Sequence, residues 1–173
     1  MKDLTDLDPV TIEAAARVRL LLMDCDGVLT DGRLYYSASG EAMKVFHVRD
    51  GQGIVDWHNA GFRSGIISGR DAGEIVRGRA SELGIHHVLL ASKDKVADFK
   101  KINSLENIDA NETAFIGDDL GDVELMKIVG FPVAVADAAD STKAVAKYVT
   151  KTKGGLGAVR ELIDLLLLCK GAH

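Results

Sequence analysis

Asp24-Cys25-Asp26-Gly27 sets two carboxylates one residue apart and follows them with a tight-turn glycine. The arrangement is costly, because two anions this close repel and raise each other's proton affinity unless a cation neutralises them. A second acidic group stands at Asp118-Asp119, within Ile116-Gly117-Asp118-Asp119-Leu120-Gly121-Asp122. Brought together, the two groups make a hard-oxygen site of the kind Mg²⁺ prefers, with room for waters and a substrate phosphate. Aspartates after strands also cap helices, so either group alone is ambiguous and the pair carries the argument. Ser68 and Lys95 add a hydroxyl and an ammonium, which suit a phosphate if the fold gathers them and otherwise decorate a surface.

Short apolar strands must position these residues. Residues 18–23 form a near-continuous aliphatic run, as expected of a strand covered on both faces, and Asp24 sits at its carboxyl end. Further strands are expected at 65–67, 88–90, 114–116 and 133–135, with a weaker one at Tyr148-Val149. Between them lie helical patterns at 72–83, closed by Gly84, and at 120–129, closed by Gly130. Asp8 before Pro9 starts a short leading helix over 9–16. This alternation predicts an α/β fold: a Rossmann-like, three-layer parallel sheet that places ligands beyond its strand ends.

Two segments break the pattern. Residues 33–36 and 44–48 read as a projecting β-hairpin (about 33–48) beside the first strand end. Lys153-Gly154-Gly155-Leu156-Gly157 reads as a glycine-rich turn leading into a helix over 158–168. Three other residue types tempt a functional reading. Strand alternation turns Cys25 away from Asp24 and Asp26, which makes it a core residue. His86-His87 point to opposite faces and read as structural or exposed, and Trp57, on a helix over 53–60, reads as core or interface.

At 173 residues, 47% apolar and 27% charged, with 18 Gly and 2 Pro, the chain is expected to be one globular domain over 1–173. A net charge of -5 without a basic block argues against nucleic acid as a partner. The longest apolar run, Leu165-Leu166-Leu167-Leu168-Cys169, falls short of the ~18 to 20 residues of a membrane span. The first residues lack the apolar core of a signal peptide, and Cys25 and Cys169 suit a reducing compartment, so a cytoplasmic protein is expected.

Asp24-x-Asp26-Gly27-Val28, Ser68, Lys95 and Gly117-Asp118-Asp119 occur in the order and spacing of the four motifs of the haloacid dehalogenase superfamily, which the chain resembles from about residue 18 onward. One departure is Ser68, where relatives usually carry Thr; the hydroxyl is kept. The resemblance implies that Asp24 attacks phosphorus and becomes phosphorylated. Asp26 would protonate the leaving oxygen and then activate water. Mg²⁺ would be held by Asp24, the main-chain carbonyl of Asp26 and Asp118, the phosphoryl group by Ser68 and Lys95, and Lys95 itself by Asp122. Members that use the acyl phosphate for other ends tend to lack an acid at the position of Asp26, so hydrolysis is implied.

The gaps between motifs leave no room for a separate cap domain, so something else must cover the site, and the hairpin and the glycine-rich tail (about 153–169) are the candidates. Asp24 to Gly32, Val48-Arg49-Asp50-Gly51-Gln52-Gly53-Ile54, Ala134-Val135-Ala136-Asp137-Ala138 and Gly154 to Glu161 resemble the capless phosphatases of 3-deoxy-D-manno-octulosonate 8-phosphate, enzymes of lipopolysaccharide precursor synthesis. That family implies a homotetramer whose hairpins pack around a central barrel and whose neighbouring subunits complete each site. A sugar acid phosphate needs cations for its carboxylate, and Arg70, Arg79, Arg160 and Arg49 are the candidates. Two rival readings remain open: a phosphatase of nine-carbon sugar acids such as N-acylneuraminate 9-phosphate, and a non-catalytic oligomerisation module.

Overall fold

The computed structural model describes residues 7–71 and 73–171. In chain order it contains α1 (Pro9–Arg17), β1 (Leu20–Met23), β2 (Tyr35–Ser37), β3 (Gly40–Met43), α2 (Val48–Asn59), β4 (Arg63–Ile67), α3 (Gly73–Leu83) and β5 (His87–Leu89). It continues with α4 (Lys95–Glu106), β6 (Thr113–Gly117), α5 (Val123–Met126), β7 (Phe131–Ala134), α6 (Asp140–Lys143), β8 (Tyr148–Val149) and α7 (Ala158–Cys169). Six strands form one parallel sheet in the order β5-β4-β1-β6-β7-β8, while β2 and β3 pair antiparallel as a separate hairpin.

β1 lies inside the sheet, and its four residues are fully buried. It pairs with β4 and β6 in parallel, Met23 lying opposite both Ile66 and Ile116. Burying each such aliphatic side chain contributes roughly 1.5–3 kcal/mol, which fixes the strand and therefore the residue that leaves it. From β1 the chain runs outward through β4 to β5, then returns through α4 to β6 on the other side of β1. The reversal makes the carboxyl ends of β1 and β6 a topological switch point, where open α/β sheets bind ligands. With right-handed crossovers, α2 and α4 cover opposite faces, giving three layers.

α1, α2 and α7 pack together, and Gly53 permits the close approach of α2 to α7, since a Cβ there would fall 3.3 Å from the Arg160 Cα. Trp57 belongs to this core: it is fully buried, donates Nε1–H to the Arg63 carbonyl at 2.8 Å and stacks on Phe62. The leading helix is capped as expected, with Asp8 Oδ1 accepting from the amides of Val10 and Thr11 at 3.0 Å each.

Two expected elements are corrected. The hairpin occupies 35–43, not 33–48: its turn is Ala38-Ser39, residues 44–47 are unpaired, and Val48 already opens α2 with His47 as its cap. A short stretch rich in Val and Phe at 44–48 signals extended backbone without saying what it pairs with. The expected helix over 120–129 is a 3₁₀ turn, Leu120–Asp122, followed by the single turn of α5. Gly130 does not close it in a left-handed conformation; glycine is required there because a Cβ would meet the Asn111 carbonyl oxygen at 2.3 Å.

Candidate active site

Asp24 leaves the carboxyl end of β1 and Asp118 leaves that of β6, with the Asp24 amide donating to the Ile116 carbonyl at 3.1 Å. Sheet register alone therefore brings the two acidic groups together. One carboxylate oxygen each from Asp24, Asp118 and Asp122 lies within 4.8 Å of the others. Gly27 makes the convergence possible: it takes φ +97, and a Cβ on it would sit 2.0 Å from Asp118 Oδ2. Burial pushes Asp24 up to about 6, with Lys95 opposing and Asp122 reinforcing. Burial likewise raises Asp118 to about 8, helped by Asp24, Asp122 and Asp119. The carboxylates are frustrated as they stand.

Lys95 opens α4, whose first turn is capped by Asp94 through the Ala97 amide at 3.0 Å. Its Nζ donates to Asp24 Oδ1 at 2.7 Å and to Asp122 Oδ1 at 2.6 Å. Burial opposes its charge, but the two aspartates win and hold the ammonium above its ordinary pKa. Asp122 is fully used: its Oδ2 accepts from the amides of Asp118 at 2.9 Å and Asp119 at 3.3 Å. Ser68 directly follows β4, the neighbour of β1, is buried, and accepts the Arg70 amide at 3.3 Å.

On the other side of Asp26 the hairpin and the residue that follows it contribute two side chains that sequence reading missed, Glu41 and Lys44. The Lys44 ammonium, wholly buried, pairs with Asp26 Oδ1 and lies 2.8 Å from Glu41 Oε1. Arg70 closes a ring of alternating charge, with Nε 3.4 Å from Asp26 Oδ2 and Nη2 3.1 Å from Glu41 Oε2. Burial pulls the Lys44 pKa down, but its bonds to Asp26 and Glu41 outweigh that and raise it. A Glu and a Lys around a hairpin read as a solvated face; Glu41 lies within β3 and Lys44 directly follows it, and neither carries a local signal of the site.

The remaining arginines are not brought to these carboxylates within the chain. Arg79 points from α3 toward α2, pairing with Glu82 at 2.7 Å, and a Cβ on Gly51 would fall 2.3 Å from its Nη2. Arg160 pairs with Asp56 at 3.0 Å and Asp164 at 2.7 Å, while its amide donates to Asp50 at 2.7 Å. Arg49 lines a shallow surface pocket with Arg160, Thr152, Leu156 and Gly157. The glycine-rich turn, by contrast, packs on the catalytic loop of its own chain. The Gly155 amide donates to the Val28 carbonyl at 2.9 Å, and a Cβ on Gly154 would lie 1.7 Å from the Gly27 carbonyl oxygen. Buried Glu161 on α7 supports the approach, accepting from the amides of Lys151 and Thr152 at 2.9 Å each. Cys25 is buried, its thiol pushed up to about 12 by burial first and by Asp26 second, so it is inert. His87 pairs with Glu106 at 2.6 Å, and His86 meets the His58 ring edge-on.

A divalent cation fits the residues present. Asp118 Oδ1 is buried without a hydrogen-bond partner, the carboxylates of Asp24 and Asp118 face one another, and all available donors are hard oxygens. Asp122 belongs to the acidic cluster, but its two oxygens are already spent on Lys95 and two amides, which leaves Asp24 and Asp118 as the side-chain ligands.

A family model for haloacid dehalogenase-like hydrolases matches residues 60–163. The 3-deoxy-D-manno-octulosonate 8-phosphate phosphatase of Yersinia pestis is 43% identical over 159 residues, spanning 92% of this chain and 84% of that protein. The chain belongs to this phosphatase family of haloacid dehalogenase-like hydrolases. The crystal structure of the same-named Yersinia pestis phosphatase superposes with a TM-score of 0.92 at 41% identity, covering 95% of this chain and 88% of that one. The family's enzyme from Moraxella catarrhalis, crystallised with a magnesium ion, a phosphate ion and a KDO molecule, superposes with a TM-score of 0.90 at 35% identity, covering 93% and 92%. The α/β expectation drawn from strand spacing is thus met by a phosphatase fold.

Proposed function

We propose that this protein is a Mg²⁺-dependent phosphatase that hydrolyses 3-deoxy-D-manno-octulosonate 8-phosphate to the free sugar acid and phosphate through an aspartyl phosphate on Asp24. The observation that carries the reading is the convergence of Asp24, Asp118 and Lys95 at the sheet's switch point, in a chain 43% identical over most of its length to a phosphatase named for that substrate.

An Asp24 oxygen attacks phosphorus, the bond from phosphorus to the sugar oxygen breaks, and Asp26 delivers the proton the leaving oxygen needs. Asp26 then takes a proton from the water that attacks the aspartyl phosphate, releasing phosphate and freeing Asp24. Lys95 and Ser68 hold phosphoryl oxygens, and Asp122 keeps Lys95 aimed. When bound by Asp24, Asp118 and the main-chain carbonyl of Asp26, Mg²⁺ supplies charge neutralisation for the transferring oxygens. Arg70 meets the carboxylate of the sugar acid. Arg79, Arg49 and Arg160 are assigned to the outer part of the substrate, contributed across a subunit boundary, because their partners within the chain lie elsewhere.

A homotetramer is the proposed assembly, supported by the exposed apolar side chains Leu34, Tyr36, Met43, Val45 and Val48 on and beside the hairpin. A cytoplasmic location is proposed from the phosphorylated metabolite and the two free thiols; among the described residues no helix is long and apolar enough to cross a membrane. Phosphate release from 3-deoxy-D-manno-octulosonate 8-phosphate and from N-acylneuraminate 9-phosphate, each with Mg²⁺ and with chelator, tests the reading. Faster turnover of the eight-carbon ester, abolished by chelation, is expected; preference for the nine-carbon ester refutes the substrate, and activity in chelator refutes the metal.

A further inference from the structure

The ring formed by Asp26, Lys44, Glu41 and Arg70 is graded in exposure. The side chain of Lys44 is 0% exposed, Glu41 12%, Asp26 14% and Arg70 38%. Two cations and two anions balance within it, yet the member that faces solvent is a cation. A planar guanidinium presents its N–H groups in a fixed fork, so its usefulness to a carboxylate depends on how the plane is turned. Here Nη2 donates to Glu41 Oε2 at 3.1 Å, with the Tyr36 hydroxyl 3.5 Å away, while Nε lies 3.4 Å from Asp26 Oδ2 without a hydrogen bond to it, so Glu41 is the carboxylate that sets the plane. A carboxylate placed to orient Arg70 would ordinarily repel an anionic substrate. Lys44, at 2.8 Å from Glu41 and shielded from water, cancels that charge where its effect is least screened.

We infer that Glu41 is a specificity-positioning residue: it turns Arg70 toward the substrate's second anionic group, while buried Lys44 neutralises Glu41 so that the pair adds orientation without repulsion. The inference rests on the substrate class proposed above, and it gives the hairpin a role that a mere cover would not have. Selectivity for carboxylate-bearing esters is built partly on β3, outside the motifs that carry the phosphoryl chemistry.

The test compares two phosphate esters in Glu41→Ala, Arg70→Ala and the double variant: whichever sugar acid phosphate the wild type turns over faster, and para-nitrophenyl phosphate, which has no carboxylate. The ratio of their kcat/KM values is expected to fall about tenfold in Glu41→Ala, chiefly through KM of the sugar acid ester, as for loss of a charge-assisted contact. The double variant is expected to be no more impaired in this ratio than Arg70→Ala, because Glu41 acts through Arg70. Glu41→Gln, which keeps an acceptor for Arg70, is expected to recover part of the loss. A ratio unchanged in Glu41→Ala, a ratio that rises because Glu41 competes with the substrate, or losses that multiply in the double variant would each overturn the assignment. Equal losses on both esters would show a structural role and overturn it too. A wild type preferring the nine-carbon acid refutes the substrate reading alone, since the variant ratios are then read with that ester.

Discussion

Asp24 and Asp118 are the residues on which the proposed chemistry rests, and their electrostatics yield a pH dependence with a definite sign. Both carboxyls are raised in the folded chain, to about 6 and about 8, above the 3.8 of an unperturbed aspartate. Between those values the folded protein without metal holds protons that the unfolded chain has released, so its stability falls as pH rises. On the proposed reading Mg²⁺ would relieve the repulsion by binding the ionised pair. Thermal melts should therefore show a larger Mg²⁺-induced rise in Tm at pH 8 than at pH 6; an equal rise at both would mean the cation binds elsewhere. These two aspartates, with Asp26 and Lys95, were legible in the sequence because each follows a buried strand or opens a helix, and a strand end fixes where the next side chain goes. Lys44 and Glu41 were not, since their partners are set by how the hairpin lies over Asp26, a tertiary fact without a local pattern. For Arg79 helix spacing gave a face but not the neighbour, which within the chain is Glu82.

Among the elements, the glycine-rich turn before α7 acts as a backing for the catalytic loop. Because a Cβ on Gly154 would lie 1.7 Å from the Gly27 carbonyl oxygen, Gly154→Ala must displace either the turn or the loop that carries Asp24 and Asp26. Overpacking of this kind costs about 1–3 kcal/mol, and a shifted nucleophile should lower kcat about tenfold or more. Differential scanning and steady-state kinetics on that variant check both numbers; a variant with unchanged kcat would show that the turn only fills space. Glu161 offers a second check. It is buried and accepts hydrogen bonds from Tyr148, Lys151 and Thr152, so Glu161→Ala should destabilise by about 3 kcal/mol in chemical denaturation, because several donors lose their partner together. The glycines of this turn were visible in the sequence as a break in the pattern. What they touch is set by the chain's return from the edge strand β8 to the loop after β1, which no local pattern announces.

For the whole molecule, the parallel sheet was readable from apolar strands alternating with helices, whereas its strand order and the hairpin's true extent were not, the latter because residues 44–47 are extended without pairing in the chain. The apolar side chains there, with Val48 at the start of α2, are the surface a tetramer would bury. Light scattering on Val48→Glu should then show smaller species than the wild type, with turnover reduced if neighbours complete the site; an unchanged mass would move the interface elsewhere. All of this stands on Asp24 being the nucleophile. Rapid acid quench of the protein turning over 3-deoxy-D-manno-octulosonate 8-phosphate with Mg²⁺, followed by peptide mass spectrometry, should find a phosphoryl group on the peptide bearing Asp24, with both adduct and turnover lost in Asp24→Asn. Turnover that persists in Asp24→Asn, or an adduct on another residue, would contradict the account.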